Sequence, residues 1–137
     1  MMTTTSHAVR SRILVVEDED GTRKALAGWL GHEYDVVVAS DGIEGLQIAT
    51  TQRLDVILSD VWMPRLDGVA MVRRMKEIDS LRRVPVILLT GQTSPQSVIE
   101  GIAAGARAYL PKPIDLDVLD RKVRSALRAR ARPWAPL

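Results

Sequence analysis

Leu54-Asp55-Val56-Ile57-Leu58-Ser59-Asp60 is a short apolar run, rich in β-branched residues, that stops on a carboxylate. Ile13-Leu14-Val15-Val16 stops on the acidic pair Glu17-Asp18, and a later run, Ala106 to Leu110, is followed by Lys112. Short runs of this kind, separated by helix-length segments, read as parallel strands covered on both faces. Loops at the carboxyl ends of such strands gather in one crevice, so three carboxylates and an ammonium are expected to converge there.

Working outward from Asp60, five strands are expected: Arg12 to Val16, Tyr34 to Ala39, Leu54 to Ser59, Pro85 to Leu89 and Ala106 to Leu110. Between and after them run helical segments at Asp20 to Leu30, Ile43 to Thr50, Leu66 to Ile78, Pro95 to Ala103 and Asp115 to Ala131, punctuated by Gly31, Asp41-Gly42 and Gly105. The pattern is (βα)5, a doubly wound, flavodoxin-like α/β sandwich with a parallel five-stranded sheet in the order 2-1-3-4-5. In that order strands 1 and 3 are neighbours, which sets Glu17, Asp18 and Asp60 side by side, with Thr90 and Lys112 arriving from the far half. Leu116, Leu119, Val123 and Leu127 recur at helical spacing and assign one face of the last helix to the sheet. Asp117 with Arg121, and Asp120 with Arg124, are spaced for i,i+4 pairing on that helix.

At 137 residues the chain has room for one folded unit. We divide it into a disordered leader (1–11), a domain (12–131) and a tail (132–137) that Pro133 and Pro136 keep out of the last helix. The absence of cysteine excludes disulfides, thiolate metal sites and a cysteine nucleophile. No apolar stretch approaches the roughly 18–20 residues of a membrane span, and the first residues lack the apolar core of a secretory signal. The expected location is the cytoplasm. The net charge is +2, yet Arg121, Lys122, Arg124, Arg128, Arg130 and Arg132 crowd the last segment, leaving the rest mildly acidic. That basic helix reads as a solvated face rather than a nucleic-acid contact, because no helix-turn-helix or zinc pattern accompanies it. His7 and His32 have no metal-ligand company and read as solvated.

Clustered carboxylates repel one another unless a cation sits among them, and a hard divalent ion held by one or two carboxylates is the usual answer. Asp18 and Asp60 suit direct ligation of Mg²⁺ or Mn²⁺, and the longer Glu17 suits contact through water. A carboxylate can also be a nucleophile that forms an aspartyl-phosphate. Phosphoryl transfer then asks for a metal on one equatorial oxygen, an ammonium on another and a hydroxyl on the third. Lys112 and Thr90 are of those types. Taken singly, Glu17 to Asp20 would be helix N-terminal acids, Asp60 a helix cap, Thr90 a turn residue, Tyr109 a half-buried strand aromatic and Lys112 a solvated charge. Together they make a site.

Five segments carry a family resemblance: Ile13-Leu14-Val15-Val16-Glu17-Asp18-Glu19; Asp55 through Pro64; Asp67-Gly68; Val86-Ile87-Leu88-Leu89-Thr90-Gly91; and Tyr109-Leu110-Pro111-Lys112-Pro113. In this order and spacing, the chain resembles the receiver domain of two-component response regulators over about residues 11 to 131. The resemblance implies that Asp60 accepts a phosphoryl group from the phosphohistidine of a sensor histidine kinase or phosphotransfer protein. Glu17, Asp18, Asp60 and the backbone carbonyl of Trp62 would hold Mg²⁺. Thr90 and Tyr109 would be the switch pair, Lys112 the oxyanion partner, and the Lys112-Pro113 bond cis. It further implies no catalysis beyond the protein's own phosphorylation and dephosphorylation. A downstream effector, or a phosphorylation-dependent second copy, would dock on the face built from helix 4, strand 5 and helix 5. The chain departs from the common pattern in two respects. The acidic pair is Glu-Asp rather than Asp-Asp, and bulky Trp62 and uncharged Gln92 stand two residues past Asp60 and Thr90, where we expect Trp62 to slow hydrolysis of the phosphate.

Three other functions compete. A phosphorylation-independent, receiver-like interaction module would not need the whole site set. A hydrolase with an aspartyl nucleophile usually has a second acid two residues on, where Trp62 stands. A flavodoxin-like nucleotide binder needs a Gly-rich loop after the first strand, where Glu17-Asp18 would instead repel phosphate.

Overall fold

The computed structural model describes residues 9–91 and 95–131. The expected leader up to residue 8, His7, Gln92, and the tail with Arg132 and Trp134 lie outside the described residues. Strands β1 (Arg12–Val16), β2 (Asp35–Ala39), β3 (Val56–Asp60), β4 (Val86–Thr90) and β5 (Ala108–Pro111) alternate with helices α1 (Asp20–Leu30), α2 (Gly42–Thr51), α3 (Gly68–Lys76), α4 (Pro95–Ala104) and α5 (Leu116–Ala131). All pairings are parallel and the order is β2-β1-β3-β4-β5, as expected from the sequence.

Side chains alternate across the sheet and build two cores. Leu14, Val16, Ile57, Val86 and Leu88 face Met71, Val72 and Met75 of α3. Ile13, Val15, Val56, Leu58, Ile87 and Leu89 face Leu26 and Leu30 of α1 and Leu119, Val123 and Ala126 of α5. With both faces covered, β3 and β4 are buried at every position. That is why their sequences are continuous apolar runs instead of alternating ones. On α3, Arg73, Arg74 and Lys76 fill the last turn, where they complement the helix dipole.

Element ends differ from the sequence expectation where local hydrogen bonds intervene. Tyr34 was expected to open the second strand, but its N–H donates to Leu30 O at 2.9 Å and it belongs to the turn after α1. Leu54 and Asp55 precede β3, Asp55 Oδ2 being engaged by the Arg12 N–H at 2.8 Å. At its other end β3 runs one residue further and includes Asp60, because the Val61 N–H continues the ladder to Leu89 O. Ala106 closes α4 through its bond to Gly101 O, so β5 starts at Ala108. α3 begins only at Gly68, after its Asp67 cap, and after Lys76 the bonds of Glu77 and Ile78 tighten to i→i−3. Arg10 and Ser11, assigned to the leader, are held: Arg10 donates to Gly31 O at 3.1 Å and Ser11 O accepts from Asp35 N–H at 3.0 Å.

Leu116 was assigned to the buried face of α5 but is 42% exposed. It is the first helical residue and lines an open groove described below. Asp120 pairs with Arg124 as expected, whereas Asp117 and Arg121 form no ion pair. Both are exposed, and holding two solvated side chains together recovers little. Arg124 also grips Glu33 through both carboxylate oxygens at 2.8 Å, which ties α5 to the α1–β2 turn.

Candidate functional site

The strand register builds the site. Val16 pairs with Ser59 and Asp60 with Leu89, so Glu17, one residue past β1, is level with Asp60, and Thr90 is one residue beyond it. Lys112 follows β5, its N–H bonded to Thr90 O at 2.7 Å, and the Lys112-Pro113 bond is cis.

Glu17 is completely buried. Its Oε1 accepts from Lys112 Nζ at 2.8 Å and its Oε2 from the Glu19 N–H at 3.1 Å. The same ammonium donates to Asp60 Oδ2 at 3.0 Å. Lys112 thus places an ammonium between two of the three carboxylates. Burial works to lower the Lys112 pKa, but the hydrogen bonds and charges of Glu17 and Asp60 prevail and raise it above its ordinary value. Asp18, by contrast, is exposed.

Glu17, Asp18 and Asp60 each offer one carboxylate oxygen, all within 4.8 Å of one another. An all-oxygen set with one exposed member suits a hard divalent cation that keeps part of its water. Glu17, with both oxygens engaged, is the least available of the three.

The backbone around Asp60 is fixed from several sides. Ser59 Oγ donates to Asp60 O at 2.9 Å, and the Gly68 N–H donates to Val61 O at 2.9 Å. A Cβ on Gly68 would stand 2.3 Å from Asp60 O, so only glycine allows α3 to start this close to the acceptor strand. Trp62 is 62% exposed, its indole turned largely to water.

Thr90 is buried and Tyr109 is 39% exposed. They share with Val61, Leu88, Ser97, Val98 and Ile102 a cavity of about 10 Å³, far too small for a phenol ring. Ile102, which shares this cavity, and Ile99, also on α4, are exposed as well.

Sequence reasoning missed three features. Glu19 caps α1, accepting from the N–H groups of Gly21 and Thr22. The Thr22 hydroxyl, then those two N–H groups, hold its pKa down to about 2. Its spacing to Thr22 was the available signal, obscured because Glu is not among the favoured caps. Exposed Leu116 lines, with Trp29, Ile114, Pro113 and Lys112, a mostly apolar groove of about 510 Å³ between α1 and the β5–α5 connection. Nearly buried Asp41 caps α2 and binds Arg65.

A model of the response regulator receiver domain matches residues 13–124. The chain belongs to this family. As a receiver domain it is a part of two-component signal transduction. It is 37% identical over 123 residues to the response regulator MprA of Mycobacterium leprae, a match covering 89% of this chain and 53% of that protein. Against the MprA of Mycobacterium sp. (strain KMS) the figures are 38%, with 85% and 50% covered. The receiver thus spans about half the length of the curated relatives it matches. Among solved structures, chemotaxis response regulator CheY4 of Vibrio cholerae superimposes with a TM-score of 0.81 at 33% identity, covering 87% of this chain and all of that one. The signal receiver domain of a histidine kinase from Syntrophus aciditrophicus gives 0.83 at 33%, with 93% and 97% covered. Among the described residues, no helix is long and apolar enough to cross a membrane.

Proposed function

We propose that residues 12–131 form the receiver unit and that Asp60 takes a phosphoryl group from the phosphohistidine of a sensor histidine kinase or phosphotransfer protein. The observation that carries this reading is the single ammonium of Lys112 shared between Glu17 and Asp60, with Asp18 close by. A carboxylate oxygen of Asp60 attacks phosphorus as the P–N bond to the donor imidazole breaks. The imidazole nitrogen keeps the electron pair and takes a proton. Lys112 is already within hydrogen-bonding distance of Asp60 and exchanges its carboxylate partner for a phosphoryl oxygen. Thr90, buried at the end of β4, supplies a hydroxyl to another.

Asp18, Asp60 and the Trp62 carbonyl would hold Mg²⁺ or Mn²⁺, with Glu17 acting through water and as the anchor of Lys112. When bound, the ion neutralises phosphoryl charge. The apolar groove lined by Trp29, Ile114 and Leu116 adjoins Lys112, which suits it to dock the phosphodonor protein.

For output, Thr90 is drawn toward the phosphate and Tyr109 turns inward. The 10 Å³ cavity must enlarge to admit the ring, and α4, which supplies Ser97, Val98 and Ile102 to its lining, is the element expected to move. The exposed Ile99, Ile102 and Tyr109 then present a changed face to an effector or a second copy. Trp62, at the mouth of the site, limits the approach of water to the phosphate.

The test is transfer from a histidine kinase labelled on its phosphohistidine, with Mg²⁺. Hydroxylamine-labile label on the wild type and none on Asp60→Asn is expected. A folded wild type that takes no label from the kinase or from a small phosphodonor would favour phosphorylation-independent binding.

A further inference from the structure

Arg65 has φ +69°, the left-handed region, and is the only non-glycine residue with positive φ among the described residues. An L-residue held there needs its surroundings to hold it. Here the surroundings are Asp41, at the opposite loop between β2 and α2. Arg65 Nε donates to Asp41 Oδ2 at 2.9 Å, and a second guanidinium nitrogen lies 2.6 Å from the same oxygen.

Asp41 is 7% exposed and is itself fixed, its Oδ1 accepting the Glu44 N–H at 2.9 Å as the cap of α2. The two loops also meet through backbone: the Gly42 N–H donates to Leu66 O at 3.1 Å, and a Cβ on Gly42 would stand 2.3 Å from that oxygen. The segment after Asp60 is thus anchored at both ends, by the ladder bond of Val61 to Leu89 on one side and by Arg65 and Leu66 on the other. Trp62 and its carbonyl lie between the anchors.

We infer that the Asp41–Arg65 pair is a clamp that presets the loop carrying the Trp62 carbonyl, which makes Asp41 and Arg65 positioning residues for the divalent-metal site. The inference rests on the metal-site reading proposed above. Partners that orient a metal ligand without touching the metal commonly contribute to its affinity. The clamp acts one step further out, so its loss weakens the metal by less than loss of a ligand.

The test is titration with Mn²⁺ alone, following the free ion by electron paramagnetic resonance. It compares the wild type, Arg65→Ala, Arg65→Gly, Asp41→Asn and, as ligand-loss control, Asp18→Asn, with folding checked by circular dichroism. Glycine accepts the left-handed φ and asparagine is a good helix cap, so these two variants remove the ion pair while sparing backbone and cap. Kd is expected to rise roughly three- to tenfold in Arg65→Ala, Arg65→Gly and Asp41→Asn alike, and further in Asp18→Asn. Unchanged Kd in Arg65→Gly and Asp41→Asn, with Mn²⁺ bound by the wild type, would overturn the clamp and leave the metal site standing. Should Arg65→Ala not fold, those two variants decide. No Mn²⁺ binding by the wild type would overturn the metal-site reading and the clamp with it.

Discussion

The ammonium of Lys112 stands 3.0 Å from Oδ2 of Asp60, and it reaches that position from the far side of the sheet while also holding Glu17 at 2.8 Å. Glu17 has no exposed surface, so Lys112 is its access to positive charge. Removing one partner of a buried pair costs more than the pair contributes, because the other charge is left without compensation. Lys112 is itself about a quarter exposed, and water would replace part of it. Lys112→Met is expected to lower stability by about 2 kcal/mol in chelator. Millimolar Mg²⁺ should recover part of this by linkage, as a cation that binds only the folded state. Urea unfolding with and without Mg²⁺ measures both; an unchanged midpoint in chelator would remove Lys112 from its structural role.

Gly68 marks how closely α3 approaches the acceptor strand. In Gly68→Ala the new methyl meets Asp60 O and Ser59 Oγ, at 2.3 and 3.0 Å, and backbone cannot swing aside as a side chain can. A loss of about 2–3 kcal/mol is expected by calorimetry, together with slower phosphorylation of Asp60. Full stability in this variant would contradict the tight junction.

How much of this was legible in the sequence follows from what each signal depends on. Val56 to Leu58 and Val86 to Leu89 are buried on both faces, so their apolar continuity announced the parallel sheet, and the order placed Glu17 beside Asp60. Tyr34 and Ala106 were misplaced because both are apolar and buried, while their backbone groups serve helix ends; hydropathy does not separate those roles. Leu116 fits the helical spacing of a core position, but it opens the helix and lines a groove instead of the core. The Asp41–Arg65 pair joins residues from two loops, and nothing in either loop alone announces the other.

Acid sensitivity should trace in part to Asp41. Burial pushes its pKa up, but the Glu44 N–H and then Arg65 overcome this and hold it below its ordinary 3.8. A carboxylate depressed on folding contributes stability that is present above its unfolded pKa and lost as pH falls through its folded one. Wild type should therefore lose stability relative to Asp41→Asn on going from about pH 5 to about pH 3. Parallel profiles of Tm against pH for the two proteins would contradict this.

Trp62 governs the lifetime of the mark in the proposed mechanism. Trp62→Asn is expected to shorten the half-life of phosphorylated Asp60 several-fold without slowing its formation, read as loss of bound phosphate after the donor is removed. An equal half-life would show that the indole, 62% exposed before phosphorylation, does not exclude water afterwards.

The most direct measurement is intact mass after incubation with acetyl phosphate and Mg²⁺, beside Asp60→Asn and a sample in chelator. One phosphoryl group is expected on the wild type, labile to hydroxylamine and absent from both controls. A gain of mass that persists in Asp60→Asn would contradict the assignment of Asp60 as the acceptor.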